Sequence, residues 1–442
     1  MPPRGPPDPS ADLLADRESH DALSKPATDP ASMPDVESDT SHAEAPQLRA
    51  DAEAPPIPIP DIPGADATAR GLPRRVDLTL RQRLIVDSSA AADLALRTSI
   101  ASLLSTTMLP GVAGALRRTQ SRAEEAHLRF YADLASAKDP KLSFPAPESL
   151  PRVSSRPANP VAEWIAHGNV RNIRFDSSFQ SVNPAMRDRG RGYERNNVVH
   201  AQHWRHGDGP RPTLCVIHGF MGSAYLFNGL FFSLPWFYRS GYDVVLYTLP
   251  FHGRRAEKYS PFSGYGYFAN GLAGFAEAMA QAVHDFRSLI DYLEYTGVDR
   301  IALTGMSLGG YTSALIASVD DRIQAVIPNV PVVTPDRTAD EWFPANKVVA
   351  LRDLVAGTDR ELSGAATMYS SPLNYQPLPA RDRRLIIAGL GDRLAPPEQA
   401  EILWKHWDYC AFHWFPGNHV LHVSQPDYLR RMTRFMGPFM FD

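Results

Sequence analysis

Ser307 is the residue whose surroundings point most directly to chemistry. It occupies the centre of a GxSxG motif at residues 305–309, between an apolar, strand-like run at 301–304 and a helix-like run at 312–318. A serine at a sharp strand-to-helix turn needs glycines two residues before and after it, because side chains there would collide with the backbone. The spacing predicts a nucleophile elbow. The alternative is a glycine-rich turn with a purely structural role.

A serine hydroxyl is a poor nucleophile at neutral pH, so the motif requires a histidine base and an acid that orients it. Asp392 follows an apolar strand-like run at 385–390, and His419 follows a Pro-Gly-Asn turn at 416–418. We therefore predict Asp392 as the acid and His419 as the base. Other candidates for these two roles lie nearby in the sequence: Asp336, Asp340, Glu341, Asp353 and His422.

A third feature lies upstream of the serine. The apolar run 212–217 leads into the loop 218–223, which contains two glycines. A glycine-containing turn at the end of a strand exposes backbone N–H groups, and such groups can stabilise a negatively charged oxygen.

Four motifs together resemble a known superfamily. They are the HGF loop at 218–220, the GMSLGG elbow at 305–310, the GDRLAPPEQA segment at 391–400 and the GNH turn at 417–419. In these motifs and their order the chain resembles the α/β-hydrolase superfamily over roughly Ala162–Asp442. The resemblance implies a doubly wound, mostly parallel α/β sheet of about eight strands, and a serine hydrolase that needs no cofactor and no metal.

The resemblance also implies roles for groups near Ser307. The N–H groups of Phe220 and Leu308 would hold the oxyanion. Further candidates for the substrate pocket are His218, Met221, His252 and Met306. For His252, a structural hydrogen bond is the competing interpretation.

The reaction that follows from these residues is cleavage of a carboxylic ester or related acyl bond in a small-molecule or lipid-like substrate. A peptidase, a thioesterase or an acyltransferase would use the same residues, because the elbow does not distinguish leaving groups. A serine at the elbow argues against dehalogenase and epoxide-hydrolase chemistry, which uses aspartate there in this fold. A non-catalytic binding protein is the alternative from a different class.

Composition limits the possible classes of protein and of binding partner. The chain has 442 residues, 43% of them hydrophobic, and a net charge of −4, which gives no reason to expect a nucleic-acid partner. Cys215 and Cys410 both lie in core-like runs and are predicted to be buried free thiols. No apolar segment typical of a secretory signal follows the start, so we expect a cytoplasmic location. The oligomeric state is not encoded in any motif.

The chain divides into a tail, an extension and a catalytic domain. Residues 1–75 are rich in proline and lack aromatic residues, so we expect disorder, with a spacer or a polyproline II docking segment at 55–63. Residues 76–160 are predicted to form a helical extension, and 161–442 the catalytic domain. Within that domain, residues 328–383 are too long for a simple connection and match the position of a helical lid.

Details of the helical extension leave alternatives open. Pro110-Gly111 should interrupt the first helix, and Ser121 with Glu124 resembles a capping box for the next. The stretch Thr98–Leu116 carries no charge over a length close to that of a bilayer span. Its many small and hydroxyl residues favour helices packed on the catalytic domain over weak contact with a membrane surface, and over a span. Scattered histidines, including His203 and His206, lack the spacing of a zinc site.

Overall fold

The computed structural model of the chain describes residues 78–115, 118–166, 168–222, 225, 228–229, 232–335, 340–356, 359–420, 422 and 425–442. The predicted disordered tail, with its polyproline segment at 55–63, lies outside these residues.

A nine-stranded sheet forms the centre of the molecule, in the order β1-β2-β3-β5-β4-β6-β7-β8-β9. The strands are β1 (Ser154–Pro157), β2 (Asn169–Asp176), β3 (Val198–Arg205), β4 (Thr213–Ile217), β5 (Asp243–Tyr247), β6 (Ile301–Met306), β7 (Ile323–Asn329), β8 (Leu385–Gly389) and β9 (Ala411–Phe415). The first three pair antiparallel and β3 pairs antiparallel with β5, while the remaining pairs are parallel. The carboxyl ends of β4 to β9 therefore meet at one edge of the sheet.

Helices cover both faces of this sheet. They are α1 (Leu80–Ala115), α2 (Arg118–Ala137), α3 (Pro140–Ser143), α4 (Pro160–Ala166), α5 (Leu234–Arg239), α6 (Tyr265–Phe268), α7 (Gly271–Tyr295), α8 (Leu308–Ile316), α9 (Ala345–Ala356), α10 (Arg360–Thr367), α11 (Pro397–His406) and α12 (Gln425–Met440). Short 3₁₀ segments lie at Pro184–Gly192, Gly253–Arg255, Met368–Ser370, Pro372–Asn374 and Arg381–Arg383.

Two hydrophobic cores lie on opposite faces of the sheet, and strand β4 shows why. Successive side chains of a strand point to opposite faces, so a strand covered on both sides must be apolar throughout. Cys215 and Ile217 belong to the core formed with α2, α7 and α8. Leu214 and Val216 belong to the core formed with α5 and α12. The continuous apolar run in the sequence is thus the mark of a doubly wound sheet, and this prediction is confirmed.

The predicted helical extension, 76–160, is wrong in one part, since β1 lies within it. β1 pairs antiparallel with β2 at the edge of the sheet, which brings the number of strands to nine. Its four residues, Ser-Ser-Arg-Pro, have no apolar alternation that would reveal a strand. Proline also cannot donate to a ladder and is tolerated at a sheet edge, where Pro157 lies.

The first two helices differ from their predicted bounds. Helix α1 continues through Pro110-Gly111 to Ala115, and α2 begins at Arg118 rather than at the predicted Ser121 cap. Proline normally interrupts a helix, because it lacks the backbone N–H and its ring collides with the preceding turn, so the continuation of α1 differs from the prediction. Helix α1 packs against α9. Within the described residues, none of the helices is long and apolar enough to cross a membrane.

The insertion between β7 and β8 is helical, as the predicted lid requires, and contains α9 and α10. Trp342 and Ala345 of this insertion form a small cluster with Ala101 of α1 and with Leu394. On the other side, α10 packs against α2. The N-terminal helices and the insertion therefore form one connected cover over the catalytic domain, and its action as a lid stays a prediction.

Both cysteines are buried free thiols, in agreement with the sequence. Burial raises the pKa of the Cys410 thiol to about 12. Neither residue has the exposed, electropositive surroundings of a reactive cysteine.

Candidate active site

Strand β6 presents Ser307 at a sharp turn into helix α8. The residue has φ 56° and ψ −117°, which is a strained conformation for a residue with a side chain. Its N–H donates to the carbonyl of Asn329 over 3.0 Å. In the fully described stretch 301–318, Ser307 alone is not buried. The turn thus pushes a single hydroxyl out of an otherwise buried strand and helix.

Close packing leaves no room for a side chain at either glycine of the motif. A Cβ on Gly305 would lie 2.2 Å from the carbonyl oxygen of Gly309. A Cβ on Gly309 would lie 2.1 Å from the carbonyl oxygen of Ile217 and 2.6 Å from that of His218. These are backbone atoms that cannot move aside, so the expectation that the turn needs glycine at both positions is confirmed.

The loop after β4 lies directly against the elbow, because β4 and β6 are neighbours in the sheet. A Cβ on Gly219 would lie 3.4 Å from the Cβ of Ser307. A β-turn closed by the N–H of Gly222 and the carbonyl of Gly219, at 3.1 Å, places Phe220 at its second position, where the N–H takes no part in the turn bond. Leu308 is the first residue of α8, and the first N–H groups of a helix have no intrahelical acceptor. Both predicted oxyanion donors therefore belong to segments beside Ser307.

Asp392 lies just beyond β8 and is 1% exposed. Its Oδ1 accepts hydrogen bonds from the N–H groups of Leu394 at 2.9 Å and Ala395 at 2.7 Å. Its Oδ2 lies 2.7 Å from Nδ1 of His419, which follows the neighbouring strand β9. The carboxylate is thus fixed by two backbone donors while its second oxygen faces the imidazole.

The His419 imidazole is buried and bound to Asp392 through Nδ1. A neutral imidazole that donates from Nδ1 keeps Nε2 as an acceptor, which is the state that a general base needs. Burial by itself would lower the pKa of His419, but the Asp392 carboxylate, with a weaker contribution from Asp93, raises it above the ordinary value. The pair is therefore arranged to take up a proton and stabilise it.

Comparison with known proteins identifies the family of the chain. The model of the alpha/beta hydrolase family matches residues 214–431. An uncharacterised protein of Mycobacterium tuberculosis strain H37Rv is 31% identical over 310 residues, covering 68% of this chain and 70% of its own length. The chain belongs to the α/β-hydrolase family.

Solved structures similar to this hydrolase include two esterases. An acetyl xylan esterase from Paenibacillus sp. R4 is 17% identical, with a TM-score of 0.48, over 70% of this chain and 93% of that chain. Acetyl xylan esterase 1 from Thermoanaerobacterium sp. JW/SL YS485 is 15% identical, with the same TM-score and the same coverage. At these identities the likeness concerns the fold and gives no substrate for the hydrolase.

Those rival acids and the rival base that the structure describes lie in other surroundings. Asp340 and Glu341 are exposed, Asp336 lies outside the described residues, and the side chain of Asp353 does so too. Nδ1 of His422 lies 2.7 Å from the Tyr428 hydroxyl, and Nε2 of His422 lies 3.2 Å from the carbonyl oxygen of His419. His422 thus contacts the loop that carries His419.

Of the four candidate pocket residues, His218 and His252 are buried and bound to backbone. Nδ1 of His218 lies 2.8 Å from the Gly219 carbonyl oxygen, and Nε2 of His218 accepts a hydrogen bond from the N–H of Leu249 at 3.1 Å. Nδ1 of His252 lies 2.8 Å from the Pro250 carbonyl. Burial lowers the pKa of His218 to about 4 and that of His252 well below its usual value, so both are neutral at pH 7. The structural interpretation of His252 accounts for these contacts.

The other two pocket candidates lie in different environments. Met221 is 36% exposed in the turn after Phe220 and has φ 64°. Met306 is 7% exposed and belongs to the core formed with α5 and α12. Met221 therefore remains the more accessible of the two to a substrate beside Ser307.

The structure also brings Asp93 of helix α1 to the site, which the sequence did not reveal. Oδ2 of Asp93 accepts the N–H of His419 at 2.9 Å and the N–H of Arg393 at 3.0 Å. The available signal was a carboxylate four residues after Ser89 on a helix rich in alanine, a spacing that puts both on one helical face. That pattern does not say which distant loop the face will meet.

Proposed function

We propose that this protein is a serine hydrolase that cleaves a carboxylic ester or a related acyl bond through an acyl-enzyme intermediate. The observation that carries the proposal is the 2.7 Å contact between Asp392 and His419. A glycine-rich turn with a structural role would need neither an acid nor a base at the same edge of the sheet. A buried carboxylate bound to an imidazole is the arrangement that a general base for a serine nucleophile requires.

The proposed reaction has two halves. The Ser307 oxygen attacks the acyl carbon while its proton passes to Nε2 of His419, and the carbonyl oxygen takes the negative charge. The N–H groups of Phe220 and Leu308 stabilise that charge, and Asp392 stabilises the imidazolium. When the intermediate collapses, His419 gives the proton to the leaving group and the acyl group stays on Ser307. A water molecule, deprotonated by His419, then releases the acid and restores the serine.

The same residues would also serve a peptidase, a thioesterase or an acyltransferase, because they act on the acyl carbon and not on the leaving group. We propose a small-molecule or lipid-like acyl substrate. The insertion with α9 and α10 and the helix α1 would shape its pocket, as lids do by excluding water.

The test uses p-nitrophenyl esters of graded chain length and a fluorophosphonate probe that reacts with activated serines. Ser307→Ala should abolish both turnover and labelling while the melting temperature stays unchanged, because only the attacking oxygen is removed. Ser136→Ala, at an exposed serine of α2, is the matched control and should behave as the wild type. Turnover should rise with pH as His419 loses its proton, with a midpoint above about 6.5 because the folded pKa of His419 is raised.

Two results would contradict the proposal. A wild-type protein that the probe does not label and that turns over no ester would favour the non-catalytic binding protein. Full labelling of Ser307→Ala would assign the reactive hydroxyl to another residue.

A further inference from the structure

Helix α1 places a carboxylate behind the acid and base of the proposed hydrolase. Asp93 is 1% exposed, and its Oδ2 accepts one hydrogen bond from the N–H of His419 and another from that of Arg393, at 2.9 Å and 3.0 Å. Burial of a carboxylate is costly unless hydrogen bonds compensate for the lost water. Both compensating donors here come from the loops that carry the predicted base and acid.

Each of the two hydrogen bonds fixes the backbone of its donor residue, His419 or Arg393. His419 is the predicted base itself, and Arg393 directly follows the predicted acid, Asp392. One oxygen therefore joins the loop after β8 to the loop after β9 at the points from which the two side chains project. The direction of a side chain is set by its backbone, so this contact fixes how the imidazole and the carboxylate face each other.

Other contacts of α1 hold Asp93 in this place. The Asn418 side-chain amide donates to the carbonyl of Ser89, one turn before Asp93, at 2.7 Å. A Cβ on Gly391 would lie 2.9 Å from the carbonyl oxygen of Val86 and 3.0 Å from Oγ of Ser89. About two turns of α1, from Val86 to Asp93, therefore run along the two loops at close range.

Asp93 also contributes charge to the site. The titratable groups that face His419 are Asp392 from the loop after β8, Asp93 from α1 and His422 from its own loop. Burial raises the pKa of Asp93, while the two N–H donors oppose the rise because they favour the carboxylate form. In that form Asp93 adds to Asp392 in stabilising the protonated imidazole.

We propose that Asp93 is a positioning residue of the hydrolase site, which fastens the backbone of the acid and base loops through one carboxylate oxygen and stabilises the charged state of His419. This inference rests on the proposed function of His419 as a general base. It assigns part of the catalytic arrangement to helix α1, outside the part of the chain that the family model matches.

The test compares three variants of the full-length protein. Asp93→Asn keeps the size of the side chain and an oxygen for the two N–H donors but removes the charge. Asp93→Ala removes both hydrogen bonds. Asp87→Asn, at an exposed aspartate of the same helix, is the matched control. The measurements are kcat and KM against pH, the melting temperature, and the NMR titration of histidine ring protons, with His419 assigned through a His419→Gln variant.

We expect Asp93→Asn to move the acid limb of kcat/KM and the titration of His419 to lower pH, with little change in KM. Asp93→Ala should lower kcat on the order of 10²-fold, the scale that misplaced catalytic groups can cost. Asp87→Asn should match the wild type in every measurement. If Asp93→Ala does not fold, the isosteric Asp93→Asn still decides the question.

The proposal is overturned if Asp93→Asn titrates and turns over as the wild type does. It is also overturned if Asp93→Ala loses only thermal stability and keeps its kcat. A different outcome is that the wild-type protein shows no turnover while Asp93→Asn still lowers the pH at which His419 titrates. That result would rule out the hydrolase function and support the contact between Asp93 and His419. The two failures are thus distinguishable.

Discussion

The two halves of the site are built in different ways. Ser307 is held by glycines two residues away and by close packing against the ends of the neighbouring strands, β4 and β7. Asp392 and His419 are held by hydrogen bonds that include Asp93, which is 300 residues from Arg393 and 326 from His419 along the chain. The proposed nucleophile thus depends on backbone shape, whereas the proposed acid and base depend on side chains from distant elements.

Backbone strain is therefore the main feature of the Ser307 half, and electrostatic interaction is the main feature of the Asp392 and His419 half. On the serine side, the sheet forces a residue into an unfavourable backbone conformation, and the surrounding core stabilises it. On the side of Asp392 and His419, buried carboxylates accept hydrogen bonds from donors, and the Asp392 and Asp93 carboxylates raise the pKa of His419. A substitution should therefore damage the first half through packing and the second through protonation.

Asp392→Asn should have the largest effect and should act on the second half alone. Turnover should fall on the order of 10⁴-fold, because the amide holds the wrong tautomer of His419. The fold should persist, since the amide oxygen can still accept the N–H groups of Leu394 and Ala395. Ester hydrolysis and thermal unfolding are the measurements, with Asp340→Asn as the exposed control.

The comparison would fail if Asp392→Asn kept near-normal turnover while a change at Asp336 or Asp353 abolished it. The acid would then belong to the segment after β7. The hydrogen bond of Asp392 would have only a structural role.

Gly309→Ala should have the next largest effect and should act on the first half through packing. The added methyl group would lie 2.1 Å from the Ile217 carbonyl oxygen, so we expect at least the ~1–3 kcal/mol cost of overpacking and loss of probe labelling. Gly364→Ala is the control, because a Cβ there meets nothing within 4 Å. In the middle of α10 it should stabilise the protein by ~0.5–1 kcal/mol. Normal stability and labelling of Gly309→Ala would show that the elbow is not held by close backbone contact.

Deletion of residues 1–75 should have the smallest effect. These residues lack the apolar content for a core, so the melting temperature and ester turnover should stay nearly unchanged. Deletion of residues 1–115 provides the contrast, because it also removes Asp93 and Ser89 and should abolish turnover. A loss of several degrees from the shorter deletion would show that the tail docks on the rest of the protein.

The elbow half was predictable from the sequence because its determinants lie close together. The apolar strand β6, the glycines and the helix α8 occupy one short stretch, and the neighbouring strand β4 has the same apolar character. The edge strand β1 was missed, since three polar residues and a proline carry no periodic signal. The course of α1 through Pro110 was also missed, because proline is in general a signal that a helix ends.

The other half was predictable only in its two principal residues. Asp392 and His419 follow apolar strands, and that position made them candidates. Asp93 could not be found, because the sequence shows which residues share a helical face but not which distant segment packs against that face. Burial, the two N–H donors and the effect on the pKa of His419 all arise when distant segments meet.

The contact between Asp93 and His419 also bears on when the protein becomes active during its synthesis. At ~5–20 residues per second, the ribosome needs roughly 15–65 s to add the 326 residues that separate them. Over this interval α1 has been made but the loop that it fastens has not. Ser307 can therefore reach its strained turn before the proposed base, His419, has been made. If the proposed function is right, the nascent chain should not hydrolyse acyl bonds until β9 and α12 have left the ribosome.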